Sequence, residues 1–364
     1  MRGLIVFGTR PEAIKMCPLV LEMKKHPAIK TFTCVTSQHR QMLEPVLDAF
    51  GVKPDYDLSI MKQGQTLSDI TCAVLSRLPE VFLETKPDVV LVHGDTSTAY
   101  SSALSSFYHH IPIGHVEAGL RTHDMDSPYP EEFNRCSISL IAQYHFAPTM
   151  AAKANLVAEG HEKHIYVTGN TAIDALKTTV RPDYRHEMLD WAADSRLLLI
   201  TAHRRENLGQ PMREMFRAIR RIVESFGDVK AIYPVHMNPA VQQIARDELD
   251  GCARIRLIDP LSVIDFHNFL SRSFLVLTDS GGIQEEAPSL GVPVLVMRDT
   301  TERPEGVTAG TLKLVGTSES VIYRETHRLL TDDAHHRAMS QASNPYGDGR
   351  ASERILQALI EELA

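Results

Sequence analysis

Short runs of apolar, often β-branched residues alternate with helical stretches along the whole chain. In the first half these runs predict strands at 4–7, 31–35, 89–92, 111–116, 144–146 and 165–167. In the second half they predict strands at 197–201, 230–235, 254–257, 274–278, 293–296 and 312–314. Strands that alternate with helices form parallel sheets whose two faces the helices cover. The pattern therefore predicts an α/β fold.

A break in this alternation divides the chain. The stretch that follows residue 168 is less regular, and the alternation of strands and helices then restarts. We therefore predict two similar domains, 1–168 and 169–343, which agrees with 364 residues at about 150 per domain. A turn-rich stretch precedes a last helix predicted at 352–363, and we expect residues 344–364 to cross back onto the first domain.

The composition and charge disfavour several classes of protein. The 38 basic and 46 acidic residues give a net charge of −8, which disfavours nucleic acid or an anionic membrane as partner. No apolar run approaches the roughly 18 residues of a membrane span. Only residues 4–7 form an apolar run before Gly8, too short for a secretory signal. We therefore expect a cytoplasmic protein.

The sequence lacks the usual motifs for a metal or a redox cofactor. Its five cysteines contain no Cys-x-x-Cys pair, and no His-Glu-x-x-His motif occurs. The glycine pattern at 347–352 resembles a dinucleotide fingerprint only superficially, because no strand precedes it. We expect neither a metal nor a cofactor.

Polar residues follow the predicted strands of the first half directly, where open α/β sheets bind ligands. Arg10 and Lys15 follow the first strand at a helix start, which suits an anion, although a capped helix with two solvated cations is an equally ordinary explanation. Asp95 and Glu117 follow later strands, and Glu131 begins a predicted helix. Each could be a cap or a dipole partner. If the three carboxylates converge, their repulsion raises at least one pKa and creates a general acid.

The second half has polar strand ends as well. His203 and His236 each follow a predicted strand. Ser280-Gly281-Gly282 connects a strand to a helix, a geometry in which backbone amides can bind phosphate. Glu286 lies one turn into that helix, within reach of a ribose diol.

Seven segments together resemble a known family, the bacterial non-hydrolysing UDP-N-acetylglucosamine 2-epimerases. They are GTRPEAIK (8–15), HGDT (93–96), GHVEAGLR (114–121), AHRREN (202–207), TDSGGIQEEAP (278–288), TERPE (301–305) and NPYGDG (344–349), and the similarity spans residue 4 to about 360. The resemblance implies a GT-B-type fold with two Rossmann-like domains facing a cleft, the first carrying acid/base carboxylates and the second binding UDP. It implies reversible conversion of UDP-N-acetylglucosamine to UDP-N-acetylmannosamine by elimination and re-addition of UDP, supplying cell-surface polysaccharide precursors. It also implies a homodimer and no cofactor.

The resemblance also implies roles for individual residues. The catalytic residues would be Asp95, Glu117, Glu131 and His203, with His203 steadying the departing diphosphate. The substrate would be held by Arg10, Lys15, Arg135, Phe266 (uracil), Ser280, Gly281, Gly282 (phosphate), Glu286 (ribose) and Arg303 (diphosphate). A second UDP-N-acetylglucosamine would act as activator through Gln38, Gln41 and His236. Gly64 stands where some members have an activator-binding arginine, which predicts weaker activation.

Other activities remain open at this point. A hydrolysing epimerase would release UDP and free N-acetylmannosamine, and a glycosyltransferase of the same fold would move the sugar to an acceptor. A catalytically silent nucleotide-sugar sensor is disfavoured by the three carboxylates. The sequence does not divide the proton transfers among Asp95, Glu117 and Glu131.

Overall fold

The computed structural model describes residues 1–37, 40–62 and 64–363. The chain divides into two compact units. The first unit contains residues 1–178 and 346–364, and the second contains residues 179–345.

The first unit is built on a parallel sheet of seven strands in the order β3-β2-β1-β4-β5-β6-β7. The order reverses at β1 and β4, as in doubly wound folds that bind ligands at this switch point. The strands are β1 Arg2–Phe7, β2 Lys30–Val35, β3 Tyr56–Asp57, β4 Val89–His93, β5 Ile113–Val116, β6 Tyr144–Ala147 and β7 Ile165–Val167. The helices are α1 Arg10–Lys25, α2 Arg40–Phe50, α3 Leu67–Thr85, α4 Ser97–Tyr108, α5 Glu131–Ile141, α6 Met150–Ala158, α7 Thr171–Thr179 and, at the end of the chain, α16 Ala351–Leu363.

The second unit has a parallel sheet of six strands in the order β10-β9-β8-β11-β12-β13. The strands are β8 Arg196–Thr201, β9 Val229–Pro234, β10 Ile255–Ile258, β11 Leu275–Thr278, β12 Val294–Val296 and β13 Leu312–Leu314. The helices are α8 Glu187–Ala192, α9 Gln210–Ser225, α10 Pro239–Leu249, α11 Val263–Ser271, α12 Ile283–Ser289, α13 Pro304–Ala309, α14 Glu319–Thr331 and α15 Asp333–Ser340. The predicted α/β class is confirmed.

Burial explains why the apolar pattern identified these elements. Residues 4–7 of β1 are fully buried, as expected for a central strand covered by helices on both faces. In α9 the residues at helical spacing, Met212, Met215, Phe216, Ile219, Ile222 and Val223, are buried against the second sheet. Arg213 and Arg217 of the same helix form ion pairs with Glu248 on the opposite side. The helix therefore has one apolar stripe facing the core.

Two details of the strand prediction need correction. The pattern missed β3, because two residues are too few to show a period; Tyr56 pairs with Cys34 of β2. The predicted strand at 111–116 begins later, at Ile113, because the N–H of Ile111 closes the preceding helical turn on the carbonyl of Ser106.

Helix α7, apart from its last residue Thr179, belongs to the first unit, whose first segment ends at residue 178. The carboxylate of Asp174 in α7 accepts the backbone N–H groups of Ala351 (3.1 Å) and Ser352 (2.8 Å). These groups begin α16, which packs against α1. Among the described residues, no helix is both long and apolar enough to cross a lipid bilayer.

Candidate active site

Glu12 links two loops at the carboxyl edge of the first sheet. Thr9 caps α1, and Glu12 completes the capping box by accepting the N–H groups of Gly8 (3.0 Å) and Thr9 (2.8 Å). Its second oxygen accepts the hydroxyl of Thr96 (2.7 Å). Burial raises the pKa of Glu12, and these hydrogen bonds oppose the shift. Glu12 was not among the expected site residues, although the Thr-x-x-Glu spacing of Thr9 and Glu12 signals the capping box.

Glu117 directly follows β5 and lies among donor groups. Oε1 accepts hydrogen bonds from Lys15 Nζ (2.5 Å) and Asn170 Nδ2 (3.0 Å). His93 Nε2 lies 3.2 Å from Oε2, in a contact too bent for a regular hydrogen bond. Glu117 has φ 64°, a left-handed conformation that a side chain larger than glycine adopts only where its surroundings hold it. The structure thus places Lys15, expected to hold substrate, on a predicted catalytic carboxylate.

Two buried histidines support the turns after β4 and β5. Burial lowers the pKa of His93 to about 4, against the opposing charge of Glu117. Burial lowers the pKa of His115 to about 3. The carbonyl of Gly94 accepts from His115 Nε2 at 2.7 Å, which assigns the proton of the neutral ring to Nε2. Both rings are therefore neutral at pH 7.

Asp95 lies in the same region with its own partner. Its Oδ2 is 2.6 Å from Arg135 Nη2, and its carbonyl accepts from Asn134 Nδ2 at 2.8 Å. Burial raises the pKa of Asp95, the Arg135 guanidinium opposes this, and the charges of Glu117 and Glu131 raise it further. Glu117 and Glu131 therefore both lie close enough to Asp95 to act on its carboxyl group.

The two neighbouring acids at the start of α5 have different surroundings. Glu131 is partly buried, whereas Glu132 is fully buried. Glu132 Oε1 accepts the backbone N–H groups of Thr122 (3.0 Å) and His123 (2.9 Å). Glu132 therefore holds the loop between β5 and α5, a role that its position beside Glu131 in the sequence did not reveal.

The remaining predicted residues of the first unit lie as follows. Arg10 opens α1 and is partly buried. Gln41 is exposed on α2, whereas Gln38 lies outside the described residues. Gly64 is exposed and has φ 69°.

In the second unit, Asp279 organises the loop that carries His203. Its fully buried carboxylate accepts the backbone N–H groups of His203 (2.9 Å) and Arg204 (2.9 Å) and the side-chain amide of Asn207 (3.2 Å). His203 Nδ1 lies 3.5 Å from Oδ1 of Asp279. Asp279 lies in one of the seven segments but had no expected role; its place directly after a buried strand was the available signal.

His203 also stacks on His236, with ring centroids 5.4 Å apart and planes at 15°. Burial lowers the pKa of His203, while the charge of Asp279 opposes the shift. The structure therefore brings the expected leaving-group residue and an expected activator residue into ring contact.

The predicted phosphate turn follows β11. The N–H of Ser280 donates to the hydroxyl of Thr278 at 2.9 Å. A Cβ on Gly281 would lie 3.2 Å from Nη1 of Arg303, so the absence of a side chain lets the guanidinium approach the turn. Arg303 Nε also donates to Glu285 (2.7 Å).

Glu286 and Phe266 lie in the same unit. A Cβ on Gly282 would lie 3.9 Å from Oε1 of Glu286, so this carboxylate flanks the turn. Its Oε2 lies 3.6 Å from His267 Nε2. Phe266 is partly buried against the core, with its ring centroid 6.3 Å from that of His267. The second unit thus brings together the residues expected to bind UDP. In the part of the chain that the structure describes, no three His, Cys, Asp or Glu side chains form a group suited to a metal ion.

The chain is similar to a family model, to known proteins and to solved structures. Residues 21–360 match the family model described as UDP-N-acetylglucosamine 2-epimerase. The UDP-N-acetylglucosamine 2-epimerase of Bacillus subtilis strain 168 is 60% identical over 361 residues, covering 99% of this chain and 95% of that protein. A crystal structure of a UDP-N-acetylglucosamine 2-epimerase superposes with a TM-score of 0.93 at 58% identity, covering 100% of this chain and 96% of that one. The Neisseria meningitidis UDP-GlcNAc 2-epimerase bound to UDP-GlcNAc gives 0.89 at 45% identity, covering 99% of this chain and 100% of that one.

Proposed function

The chain belongs to the UDP-N-acetylglucosamine 2-epimerase family, and on that premise we propose that it interconverts UDP-N-acetylglucosamine and UDP-N-acetylmannosamine without hydrolysis. The family match covers most of the chain, and a relative of 45% identity is described as bound to UDP-GlcNAc. The resemblance inferred from the seven segments is thereby confirmed at the level of the family.

The chemistry requires activation of an unreactive C–H bond. Carbon 2 of the sugar is not adjacent to a carbonyl, so its proton is not acidic enough for simple deprotonation. We propose that a base removes this proton while the bond from carbon 1 to the UDP oxygen breaks, giving a 2-acetamidoglucal and UDP. An acid then delivers a proton to the opposite face of carbon 2, and UDP adds back to carbon 1.

The observation that carries this proposal is the difference between the surroundings of Asp95 and Glu117. Glu117 accepts two hydrogen bonds from donors, one of them the Lys15 ammonium, which suits a carboxylate base. Burial and the neighbouring carboxylates raise the pKa of Asp95, which suits an acid. Unequal surroundings of neighbouring carboxyl groups let a site hold an acid and a base at one pH. Glu131 supplies part of the charge that acts on Asp95.

Departure of UDP needs stabilisation of the charge that develops on the diphosphate. We assign this role to His203, Arg303 and the amides of Gly281 and Gly282. Glu286 would bind the ribose and Phe266 the uracil, while Arg10, Lys15 and Arg135 would hold the rest of the substrate. In this assignment Lys15 also acts on Glu117, with which it is in contact.

The test is incubation with UDP-N-acetylglucosamine alone, followed by chromatographic separation of nucleotide sugars, UDP and free sugar. We expect an equilibrium mixture of the two nucleotide sugars. Stoichiometric UDP with free N-acetylmannosamine would instead show a hydrolysing enzyme, and turnover only after addition of an acceptor would show a glycosyltransferase. In deuterated water the product should carry deuterium at carbon 2; full retention of the original hydrogen would exclude the two-base route.

Regulation belongs to the same proposal. A second UDP-N-acetylglucosamine would activate through Gln38, Gln41 and His236, and the stacking of His236 on His203 supports a link to the leaving group. Gly64 would weaken this effect. The expected readout is a sigmoidal dependence of rate on substrate concentration that becomes less sigmoidal in His236→Ala.

We also propose a homodimer that supplies cell-surface polysaccharide precursors in the cytoplasm. In support of the dimer, the layer formed by α3, α4 and α5 exposes Leu83, Phe107, Tyr108 and Leu140. Exposed apolar side chains on neighbouring helices suit an interface. Light scattering should show twice the chain mass, and Leu140→Glu should reduce it; a monomeric native protein would refute the dimer.

A further inference from the structure

Asp279 joins the loop of His203 to the predicted phosphate turn. Strands β8 and β11 are neighbours in register, with Thr278 beside Thr201. The N–H of Asp279 donates to the carbonyl of Thr201 at 3.1 Å, which places Asp279 directly beside the start of the His203 loop. The next residue in the chain, Ser280, begins the turn. One residue therefore has contacts with both predicted diphosphate-binding segments.

Hydrogen-bond donors surround the Asp279 carboxylate. Its buried carboxylate accepts two consecutive backbone N–H groups, those of His203 and Arg204, in addition to the Asn207 amide. Its own carbonyl accepts from Arg204 Nε at 3.3 Å. A buried carboxylate is costly unless donors of this kind surround it. The donors here belong to the segment that carries His203.

The charges around His203 differ in sign and effect. The carboxylate of Asp279 favours the protonated ring, whereas burial, His236 and Arg204 favour the neutral ring. The charge of Asp279 also acts on Tyr233 and Arg298. The Tyr233 hydroxyl donates to the carbonyl of Ala202, the residue before His203 (2.6 Å). Among the groups that act on the His203 ring, Asp279 is the one that supports an imidazolium.

We propose that Asp279 is a positioning residue that orients His203 and supplies the negative charge that stabilises its imidazolium as the diphosphate departs. The inference rests on the proposed function, in which His203 contacts the leaving group. In this arrangement Asp279 acts through His203 and touches neither the sugar nor the diphosphate. A carboxylate only accepts hydrogen bonds, so in the proposed pair Nδ1, the ring nitrogen that faces Asp279, carries a proton. We expect the separation of 3.5 Å between Nδ1 and Oδ1 to shorten when substrate binds.

The first experiment compares pH profiles of kcat and kcat/KM for wild type, Asp279→Asn and Asp279→Glu. Asp279→Asn removes the charge and keeps the size, so kcat should fall about 100-fold at pH 8, the scale of a lost acid–base contribution. Because the ring of His203 would protonate only at lower pH, part of the loss should be recovered toward pH 6. Asp279→Glu should restore the wild-type profile in part. A loss that is equal at every pH would show a merely structural role and overturn the proposal.

The second experiment measures His203 directly and needs no turnover. Nitrogen-15 spectra of the histidines, with His203→Asn to assign the signal, should show a proton on Nδ1 of His203 in the wild-type protein. Asp279→Asn should lower the pKa of this ring. A wild-type ring with an unprotonated Nδ1 would overturn the proposal even if the Asn variant did not fold.

A double variant tests whether His203 and Asp279 act together, and a variant of another buried carboxylate serves as the control. In the His203→Asn background, Asp279→Asn should change kcat less than twofold, because the two residues act as one unit. Asp174→Asn is the control, since Asp174 is also a buried carboxylate that accepts two backbone N–H groups, but in the first unit. It should lower stability and leave the pH profile unchanged. If wild type fails to epimerise while the spectra are as expected, the proposed function fails and the His203–Asp279 pair stands.

Discussion

Acid should destabilise the first unit through three buried neutral histidines, His93, His115 and His145. Burial lowers the pKa of His93 to about 4 and those of His115 and His145 to about 3, from an unfolded value near 6.5. Above pH 6.5 both states are neutral and the rings contribute nothing to pH dependence. Between pH 6.5 and the folded pKa only the unfolded state binds protons, so stability falls as pH falls.

The magnitude follows from the pKa difference. One pKa unit is worth about 1.36 kcal/mol, so at pH 5 each ring that stays neutral in the folded state costs about 2 kcal/mol relative to pH 8. The three rings together cost about 6 kcal/mol, a large share of the roughly 5–15 kcal/mol that stabilises a typical domain. Burial raises the pKa of Glu12, Asp95 and Asp174, and these groups act in the opposite direction because the folded state binds their protons more tightly than the unfolded state.

The variant His145→Gln isolates one contribution. His145 is buried on β6 with its ring centroid 4.8 Å from that of His161. The difference in unfolding free energy between pH 8 and pH 5 should be about 2 kcal/mol smaller than in wild type. Comparing differences removes the packing cost of the substitution. His110→Asn is the control, since His110 is exposed in a left-handed conformation (φ 56°) that Asn tolerates.

Urea unfolding at pH 5, 6 and 8 provides the measurement, followed by far-ultraviolet circular dichroism and by fluorescence. The chain has one tryptophan, Trp191, in α8 of the second unit, so fluorescence reports that unit while circular dichroism reports both. Hydrogen-exchange mass spectrometry of peptides from β4, β5 and β6 localises the change. An unaltered pH dependence in His145→Gln would refute the assignment of a buried neutral ring.

Three further predictions concern the site. Turnover should fall by at least about 100-fold, with UDP affinity nearly intact, in each of Asp95→Asn, Glu117→Gln and Glu131→Gln, as measured by initial rates and calorimetry. Near-normal rates in all three variants would show that these carboxylates serve only as helix caps or partners of helix dipoles. His203→Asn should lower both turnover and UDP affinity, whereas loss of turnover alone would place it away from the diphosphate. Gly281→Ala should displace Arg303 and weaken UDP binding by about 10-fold, roughly 1.4 kcal/mol; unchanged affinity would show that the guanidinium moves without cost.

The sequence alone determined the fold class and the places where chemistry could lie. Continuous apolar runs mark buried parallel strands, so the pattern found every strand of both sheets except the two-residue β3. Because ligand-binding residues in such sheets follow the strands, the same pattern pointed to Asp95, Glu117, His203 and Ser280. Seven ordered segments also indicated the family. All of these signals are local in the chain, and local order is what a sequence displays.

Only the tertiary structure decided which of these residues contact one another and in what protonation state. Lys15 and Glu117 are 102 residues apart, and His203 and Asp279 are 76 apart; the order of the strands in each sheet creates both contacts. The neutral state of His93 and His115 follows from burial, which no single residue type reveals. The hydrogen bond from the Ser280 N–H to the Thr278 hydroxyl depends on a turn geometry that the sequence of the turn does not specify. Strand order, burial and turn geometry arise when distant segments pack, and so they lie beyond a reading of local pattern.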